Sequence, residues 1–233
     1  MMSKGAHAGA DELYKERSHI SAVQQSVEIL VNDPNRDTDY EIQWRMSRAY
    51  FFLGQEDKSE TERSFFKRGI SAGQQAVSLS PDRIEGHFWL AVNQALIAES
   101  IASLSALPYV IRALGHLRHA CKIDPRFHGA GPLRIKARLK HKLPWPLGSQ
   151  KDSERLYRRA LSLCPHNSVT RIFFADLLHD LGRRDEEQDQ LKMILSLPDD
   201  AEWNFELCRD KELAAKRLGN ERPELDFVNS TSR

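Results

Sequence analysis

Five prolines divide the chain at decreasing intervals, and this spacing constrains the fold more than any other feature of the sequence. They are Pro34, Pro81, Pro125, Pro165 and Pro198, separated by 47, 44, 40 and 33 residues. A proline lacks a backbone N–H and its ring clashes with the preceding helical turn, so each of these residues is expected to end a helix. The sequence therefore predicts a helical unit that is repeated along the chain, with longer early copies.

Small and apolar residues recur at fixed distances before three of these prolines. Small side chains on one side of a helix allow a second helix to approach closely. We therefore predict that each proline ends helix B of an antiparallel pair and that the small residues face helix A. The copy before Pro198 departs from the pattern, with Ile194 in place of alanine. The recurring residues are Gly69, Ala113 and Ser153 twelve positions before the proline, Leu117 and Tyr157 eight positions before it, and Ala76, Ala120 and Ala160 five positions before it.

Three segments that precede these B helices carry the periodicity of an A helix. Residues 41–53 and 169–181 place apolar side chains at helical spacing, and residues 84–98 are apolar almost all round, as in a helix buried on most of its surface. Gly54 and Gly182 are predicted to end the first and the last of these helices. Two further helix starts are predicted from capping-box spacing, Ser59 with Glu62 and Ser149 with Asp152.

These patterns together predict an all-α fold. The last proline interval is close to the 34-residue tetratricopeptide period, so the fold is expected to be a short α-solenoid of about four cryptic tetratricopeptide-like helical hairpins. Residues 13–218 are expected to form this domain, between a flexible N-terminus (1–12) and a flexible C-terminal tail (219–233).

The composition is that of a globular protein without strong overall charge. Hydrophobic residues make up 40%, charged residues 29%, and the formal net charge is +1, so no bulk field draws nucleic acid or a membrane. Three cysteines without CxxC spacing indicate reduced thiols and favour a reducing compartment. The N-terminal residues carry no apolar signal segment, which favours a cytoplasmic location, or a periplasmic one if a leader had been removed.

Residues 88–111 are the longest charge-poor stretch of the chain. Asn93, Gln94, Glu99 and Pro108 interrupt it, and a membrane-spanning helix tolerates such residues poorly. We therefore predict two buried helices separated by a break, without membrane insertion.

Several segments resemble a known family. Residues 43–54 and 79–93, together with the shorter 131–134 and 142–144, are similar to the divergent tetratricopeptide family of TatT, the T-component lipoprotein of some TRAP transporters, and more distantly to the regulator-of-microtubule-dynamics proteins. The resemblance implies an all-helical body of cryptic tetratricopeptide hairpins. For TatT-like members it implies a trimer that assists a ligand-binding partner subunit.

A binding surface is predicted from the fold. In a solenoid the A helices line the concave side, which is the usual recognition surface. Aromatic and arginine side chains at that side suit a peptide, a partner protein or a small amphipathic ligand. The residues expected there are Trp44, Arg48, Phe88, Val92, Arg134, Arg138 and Asp176.

Residues 122–142 are the strongest charge feature, with Asp124 as their only acid. On a helix, Arg134, Arg138 and Lys142 share one face and could clamp a carboxylate or phosphate. The alternative is a solvated face paired with the acidic segment 199–226. Nucleic acid is disfavoured because the net charge is near zero and no aromatic residue lies between Arg134 and Lys142.

Metal, cofactor and catalytic roles find little support. His116 and His119 lie three residues apart, but zinc ligands at recognisable spacing are missing, so no metal or cofactor is expected. Catalytic motifs are also missing, and Cys164 at the negative end of a helix is expected to be a poor nucleophile. Trp145, between two prolines, is expected to be packed.

The sequence thus leaves three hypotheses. The first is a non-catalytic binding or scaffold protein with a helical groove. The alternative is a homo-oligomeric, TatT-like transporter-accessory subunit that uses residues 88–111 as a hydrophobic ligand path. An enzyme is the least favoured.

Overall fold

All regular structure is helical in the computed structural model of the chain, which describes residues 3–56, 62–101 and 104–220. A short 3₁₀ turn, Leu104–Ala106, links the fifth helix to the sixth. The all-α prediction is therefore confirmed. The helices are α1 (Ser3–Lys15), α2 (Ile20–Val31), α3 (Tyr40–Glu56), α4 (Glu62–Leu79), α5 (Ile84–Ile101), α6 (Leu107–Ile123), α7 (Phe127–Lys142), α8 (Gln150–Leu163), α9 (Ser168–Asp180), α10 (Arg184–Leu195) and α11 (Asn204–Asn220).

The prolines follow helix ends as predicted. α4, α6 and α8 each end two residues before Pro81, Pro125 and Pro165, and α2 and α10 each end three residues before Pro34 and Pro198. Because proline cannot continue the hydrogen-bond ladder, the repeat visible in the sequence is a repeat of helix C-termini.

The chain divides into two compact units, residues 1–165 and 166–233. Within the first, α1–α2, α3–α4, α5–α6 and α7–α8 pack as successive hairpins; within the second, α9 and α10 form a hairpin that α11 packs against. The four predicted hairpins begin at α3, so the α1–α2 pair and α11 are additional. Helix α1 begins at Ser3, within the segment expected to be a flexible N-terminus, and residues 221–233 of the expected C-terminal tail lie outside the described residues.

Helix α5 lies at the centre of the first unit. Its residues from 86 to 94 are all buried, and Phe88, Trp89 and Val92 form one cluster with Ala113 and Leu117 of α6. The charge-poor stretch is therefore two helices with a break between them, as predicted, but only its α5 part is buried, since Leu104, Leu107 and Ile111 are exposed. In the part of the chain that the structure describes, no helix is long and apolar enough to cross a membrane.

The small residues of the repeat mark close helix contacts. Gly69 of α4 lies against Asn93 of α5, so that a Cβ at this glycine would overlap the amide group. Ser47 of α3 donates its hydroxyl to Gly69 O at 2.8 Å, and Asn93 Nδ2 donates to Ser47 O at 3.0 Å. Three helices are thereby tied by hydrogen bonds in the interior. The other predicted small positions are fully buried: Ala76, Ala113, Ala120, Ser153 and Ala160.

The four predictions about helix termini have different outcomes. Gly182 has φ +73° and follows α9, as predicted, and Ser149 Oγ accepts the Asp152 N–H at 3.1 Å as the cap of α8. Gly54 does not end α3, which continues to Glu56; the glycine allows the Phe66 ring of α4 to lie against the backbone there. The Ser59 cap lies outside the described residues.

Candidate functional site

A left-handed turn at the start of α7 is the most unusual backbone feature of the chain. His128, Gly129 and Ala130 have φ values of +51°, +61° and +59°. Such values are unfavourable for residues with a Cβ and persist only where surrounding contacts hold them. Glycine and proline favour turns, and Gly129, Gly131 and Pro132 lie here, but nothing in the sequence indicates that His128 and Ala130 adopt the left-handed conformation.

Arg134, one turn into the regular part of α7, holds this turn. Its Nη1 donates to Gly129 O at 2.9 Å and to His128 O at 3.4 Å. The side chain is only 3% exposed. Arg134 is therefore an internal support of the turn, and the prediction that it forms an open clamp with Arg138 and Lys142 is wrong: Arg138 is half-buried and Lys142 exposed.

The turn sets the His128 ring onto an aromatic surface. The ring centroids of His128 and Trp89 are 4.8 Å apart, and those of His128 and Phe88 are 5.3 Å apart. Burial lowers the pKa of His128 well below its ordinary value, and the positive charges of Arg134, Arg48 and Arg17 lower it further. At neutral pH the imidazole is thus uncharged, and Arg134 Nη2 lies 3.5 Å from its Nδ1.

Arg48 reaches this region from α3 and is tied to α1. Its Nη2 donates to Asp11 Oδ1 at 2.7 Å, and Arg45 Nη2 donates to Asp11 Oδ2 at 2.8 Å. The Arg48 guanidinium also lies 3.9 Å from the ring centroid of Tyr14. Burial raises the Asp11 pKa, but the two arginines outweigh it, so the net pKa is lowered. These ion pairs therefore bind the N-terminal helix α1 to α3.

Trp44 extends the aromatic surface on α3. Its indole Nε1 donates to Glu41 Oε2 at 2.9 Å, and the guanidinium of Arg45 lies 4.2 Å from its ring centroid. The ring packs, partly buried, against the cluster that contains Phe88 and Trp89. We call Arg17, Arg48, Arg134, His128, Trp44 and Trp89 the His128 cluster.

The structure brings together three of the predicted site residues, Trp44, Arg48 and Arg134. Phe88 and Val92 are 1% and 4% exposed and belong to the core, so the prediction that they line a binding groove is wrong; residues 86–94 of α5 are all buried. Asp176 lies in the second unit, where it accepts a hydrogen bond from Arg217 Nη1 at 2.8 Å. Arg17 and His128 were missed, because one follows α1 and the other depends on the left-handed turn.

A second cluster joins three histidines between α5 and α6. Pro81 O can only accept, so His87 Nε2 donates to it at 2.7 Å, which leaves His87 Nδ1 to accept from His116 Nδ1 at 2.9 Å. The His87 and His119 ring centroids are 4.2 Å apart. His116 and His119 are thus half-buried partners of His87 rather than exposed side chains. Among the described residues, no group of three or more His, Cys, Asp or Glu side chains could hold a metal ion.

The thiols of Cys121 and Cys164 are not activated. Burial raises the pKa of both Cys121 and Cys164, so their thiolates are disfavoured at neutral pH. The direction predicted for Cys164 agrees, although burial rather than the helix end is its main cause.

Consecutive antiparallel helix pairs that end at spaced prolines, with small residues at the A–B contacts, define a tetratricopeptide-like all-α solenoid. A solved structure of a thermophilic tetratricopeptide-repeat protein from Thermus thermophilus matches this fold, with a TM-score of 0.70, 20% sequence identity, and coverage of 92% of this chain and 98% of that chain. Such folds typically serve as protein-binding scaffolds.

The chain belongs to the regulator of microtubule dynamics protein 1-3 family, whose model matches residues 7–130, slightly more than half of the sequence. No curated protein sequence matches the chain. The resemblance to this family is thereby confirmed, whereas the resemblance to TatT stays a prediction. The match includes α1, which the sequence patterns left outside the helical domain, and ends with the left-handed turn.

Proposed function

We propose that the chain is a non-catalytic, tetratricopeptide-type binding protein that captures a carboxylate-bearing segment of a partner protein or peptide at the His128 cluster. The observation that carries the proposal is a group of three arginines from separate parts of the first unit. The Arg17 and Arg48 guanidinium groups lie 5.6 and 3.9 Å from the Tyr14 ring centroid, Arg134 holds the aromatic-lined turn, and the charges of all three lower the pKa of His128. Guanidinium groups bind carboxylates through charge-assisted, often bidentate hydrogen bonds.

The three arginines of the cluster differ in burial and in their contacts within the protein. Arg134 is committed to the turn that it supports, and Arg48 shares Asp11 with Arg45. Arg17 lies half-buried just beyond the end of α1, with its guanidinium 5.6 Å from the Tyr14 ring centroid. We expect the Arg17 guanidinium to contact the carboxylate of the ligand, with Trp44 packing against the apolar part of the ligand.

The left-handed turn at residues 128–130 supports the proposal that this region is a binding site. Left-handed residues other than glycine are costly, and such strain clusters at binding sites more often than elsewhere. The perturbed pKa of His128 points the same way. The absence of recognised catalytic motifs in the sequence favours binding over catalysis.

The test uses a variant in which Trp145→Phe and Trp203→Phe leave Trp44 and Trp89 as the fluorescent reporters. Glutamate-rich peptides and their glutamine counterparts are titrated against it. We expect the glutamate peptides to change the fluorescence and to bind at least about tenfold more tightly, the loss on removing one charge-assisted interaction. Arg17→Glu should abolish this preference.

Arg118→Glu is the matched control, since Arg118 is exposed on α6 away from the turn. Because the family is named for microtubule dynamics, co-sedimentation with polymerised tubulin is a further arm. Equal binding of the two peptide sets, or full binding by Arg17→Glu, would contradict the proposal.

The transporter-accessory alternative gains no specific support. Its hydrophobic path was to run through residues 88–111, and the α5 part of that stretch is occupied by internal packing.

A further inference from the structure

Apolar side chains project into solvent where α5 turns into α6. Leu104 is 91% exposed, Ile111 is 56% exposed, and Leu107 and Pro108 between them are exposed as well. Positions 104, 107, 108 and 111 share one face of the helical run, so their side chains form one patch. The opposite side of the same segment, with Ala106 and Val110, is buried against Ala98.

A second apolar side chain projects from the turn between α7 and α8. Trp145 is 88% exposed, which corrects the expectation that it is packed. Leu143, two residues earlier, packs against the cluster of Ala98, Ala106 and Val110. The Trp145 corner and the Leu104 patch therefore lie at the same end of the first unit.

Hydrogen bonds hold the turn that carries Trp145, residues 143–149, in a defined conformation. Ser149 N–H donates to Lys140 O, and Gly148 N–H donates to Pro144 O, both at 2.8 Å. Lys140 Nζ also donates to Leu147 O at 2.6 Å. Hydrogen bonds on both sides of the indole thus fix the backbone that presents it to solvent.

The charge of this part of the chain is one-sided. The whole chain has a net charge of +1, yet residues 104–151 contain ten Lys and Arg residues and a single acid, Asp124. Six of the ten are exposed: Arg112, Arg118, Lys122, Arg126, Lys142 and Lys151. Three of the six lie beside the apolar side chains: Arg112 follows Ile111 directly, and Lys142 and Lys151 flank the Trp145 corner. Lys122 and Arg126 lie at the opposite end of α6.

We propose that this end of the first unit, the Leu104–Trp145 edge, docks onto the surface of an anionic membrane. Protruding leucine, isoleucine and tryptophan side chains enter the interfacial region, where an indole is favoured, and neighbouring Lys and Arg side chains meet acidic headgroups. Exposure supports a membrane over a protein groove, because Leu104 and Trp145 project from turns and are 91% and 88% exposed. The attachment is peripheral and leaves the helices outside the hydrocarbon.

The experiment uses the full chain and vesicles of phosphatidylcholine with and without phosphatidylserine, in a flotation assay. We expect flotation with the phosphatidylserine vesicles, weakened by added salt, and a blue shift of Trp145 fluorescence. The double variant Leu104→Ser with Trp145→Ser should lower vesicle affinity at least about tenfold, since two large apolar groups are lost from the interface.

Ile123→Ser is the matched control, because Ile123 is 41% exposed at the opposite end of α6. It should float like the original chain, and circular dichroism should show the same helix content in all variants. Arg112→Glu with Lys142→Glu should reduce flotation without changing the fold.

Four outcomes would overturn the proposal. They are no flotation with either vesicle, equal flotation with and without phosphatidylserine, flotation that survives Leu104→Ser with Trp145→Ser, and a self-associated chain whose dissociation by these substitutions is the only effect seen. Heparin binding that persists in the double variant, without vesicle binding, would assign the basic face to a water-borne polyanion instead.

Discussion

Arg134 Nη1 donates a hydrogen bond to Gly129 O at 2.9 Å, from inside the protein to a residue in the left-handed conformation. This contact turns an apparent surface cation of a basic run into the support of a strained turn. It also explains why the turn can place the His128 ring against Trp89. The stability and the proposed binding site of the first unit therefore depend on one guanidinium group.

Arg134→Ala is expected to lower the free energy of unfolding by about 3 kcal/mol, because buried carbonyl groups lose a charged donor and a cavity remains. Arg134→Lys should lose less, since it keeps the charge but not the planar fork. Urea unfolding followed by circular dichroism measures both. Lys142→Ala, at an exposed position of the same helix, should stay within about 0.5 kcal/mol of the original chain. Equal losses for Arg134→Ala and Lys142→Ala would contradict a supporting role.

Gly69→Ala should destabilise the first unit by about 1–3 kcal/mol, because the added methyl group overlaps the buried Asn93 amide and forces α4 away from α5. Gly115→Ala is the matched comparison, since nothing lies within 4 Å of its Cβ position on α6. This change should stabilise by about 0.5–1 kcal/mol through helix propensity alone. Thermal unfolding of the two variants should therefore shift in opposite directions, and a shift in the same direction would count against the close contact.

Asp11→Asn should loosen α1. The substitution removes the ion pairs of Asp11 with Arg45 and Arg48, both of which are largely buried, and a partly buried guanidinium that loses its partner costs about 1–3 kcal/mol. Hydrogen exchange of residues 3–15 should accelerate, while that of α5 stays unchanged. Glu12→Gln, which breaks only the exposed pair with Lys15, is the control and should leave exchange as it was. Unchanged protection of α1 in Asp11→Asn would show that packing alone holds the helix.

Acid should destabilise the chain through the histidines between α5 and α6. Burial lowers the pKa of His87, and His119 adds to this, while the Pro81 carbonyl and Asp82 act in the opposite direction. Burial, together with His87 and His119, lowers the pKa of His116 to about 4. The unfolded chain binds these protons near the ordinary pKa of 6.5 and the folded chain does not. Stability is therefore full above about pH 6.5 and falls as the pH drops towards 4.

His116→Gln tests this dependence, because glutamine can still donate to His87 Nδ1 but does not titrate. The original chain should lose about 1–3 kcal/mol between pH 7 and pH 4 through these groups, and the variant should lose less. Urea midpoints measured across this range give the comparison. His166→Gln, in the second unit and outside the cluster, should follow the original curve. A His116→Gln curve parallel to the original would refute the assignment.

The sequence by itself determined where the helices before the prolines end and which small residues lie where two helices are in close contact. A proline such as Pro81 ends the helix that precedes it, and a small residue such as Gly69 allows an adjacent helix to approach closely. Both effects can be predicted from the residue itself and its neighbours in the sequence. The predicted ends of α4, α6 and α8 and the buried small positions followed from such local rules. The prediction that Gly54 ends α3 was wrong. A glycine can end a helix or make room for a neighbouring ring, and only the tertiary position of Phe66 shows which of the two applies.

Only the tertiary structure decided which side chains could form a site. Phe88 and Val92 have the periodicity of a groove as much as of a core, and the packing of neighbouring helices around α5 made them core. Arg134 and Arg138 are equivalent in the sequence pattern, yet the left-handed turn takes the first as its internal donor. The exposure of a side chain and the charges around it depend on residues that are distant in the chain. The sequence therefore showed the basic run, but not that Arg134 is buried while Lys122, Arg126 and Lys142 are exposed.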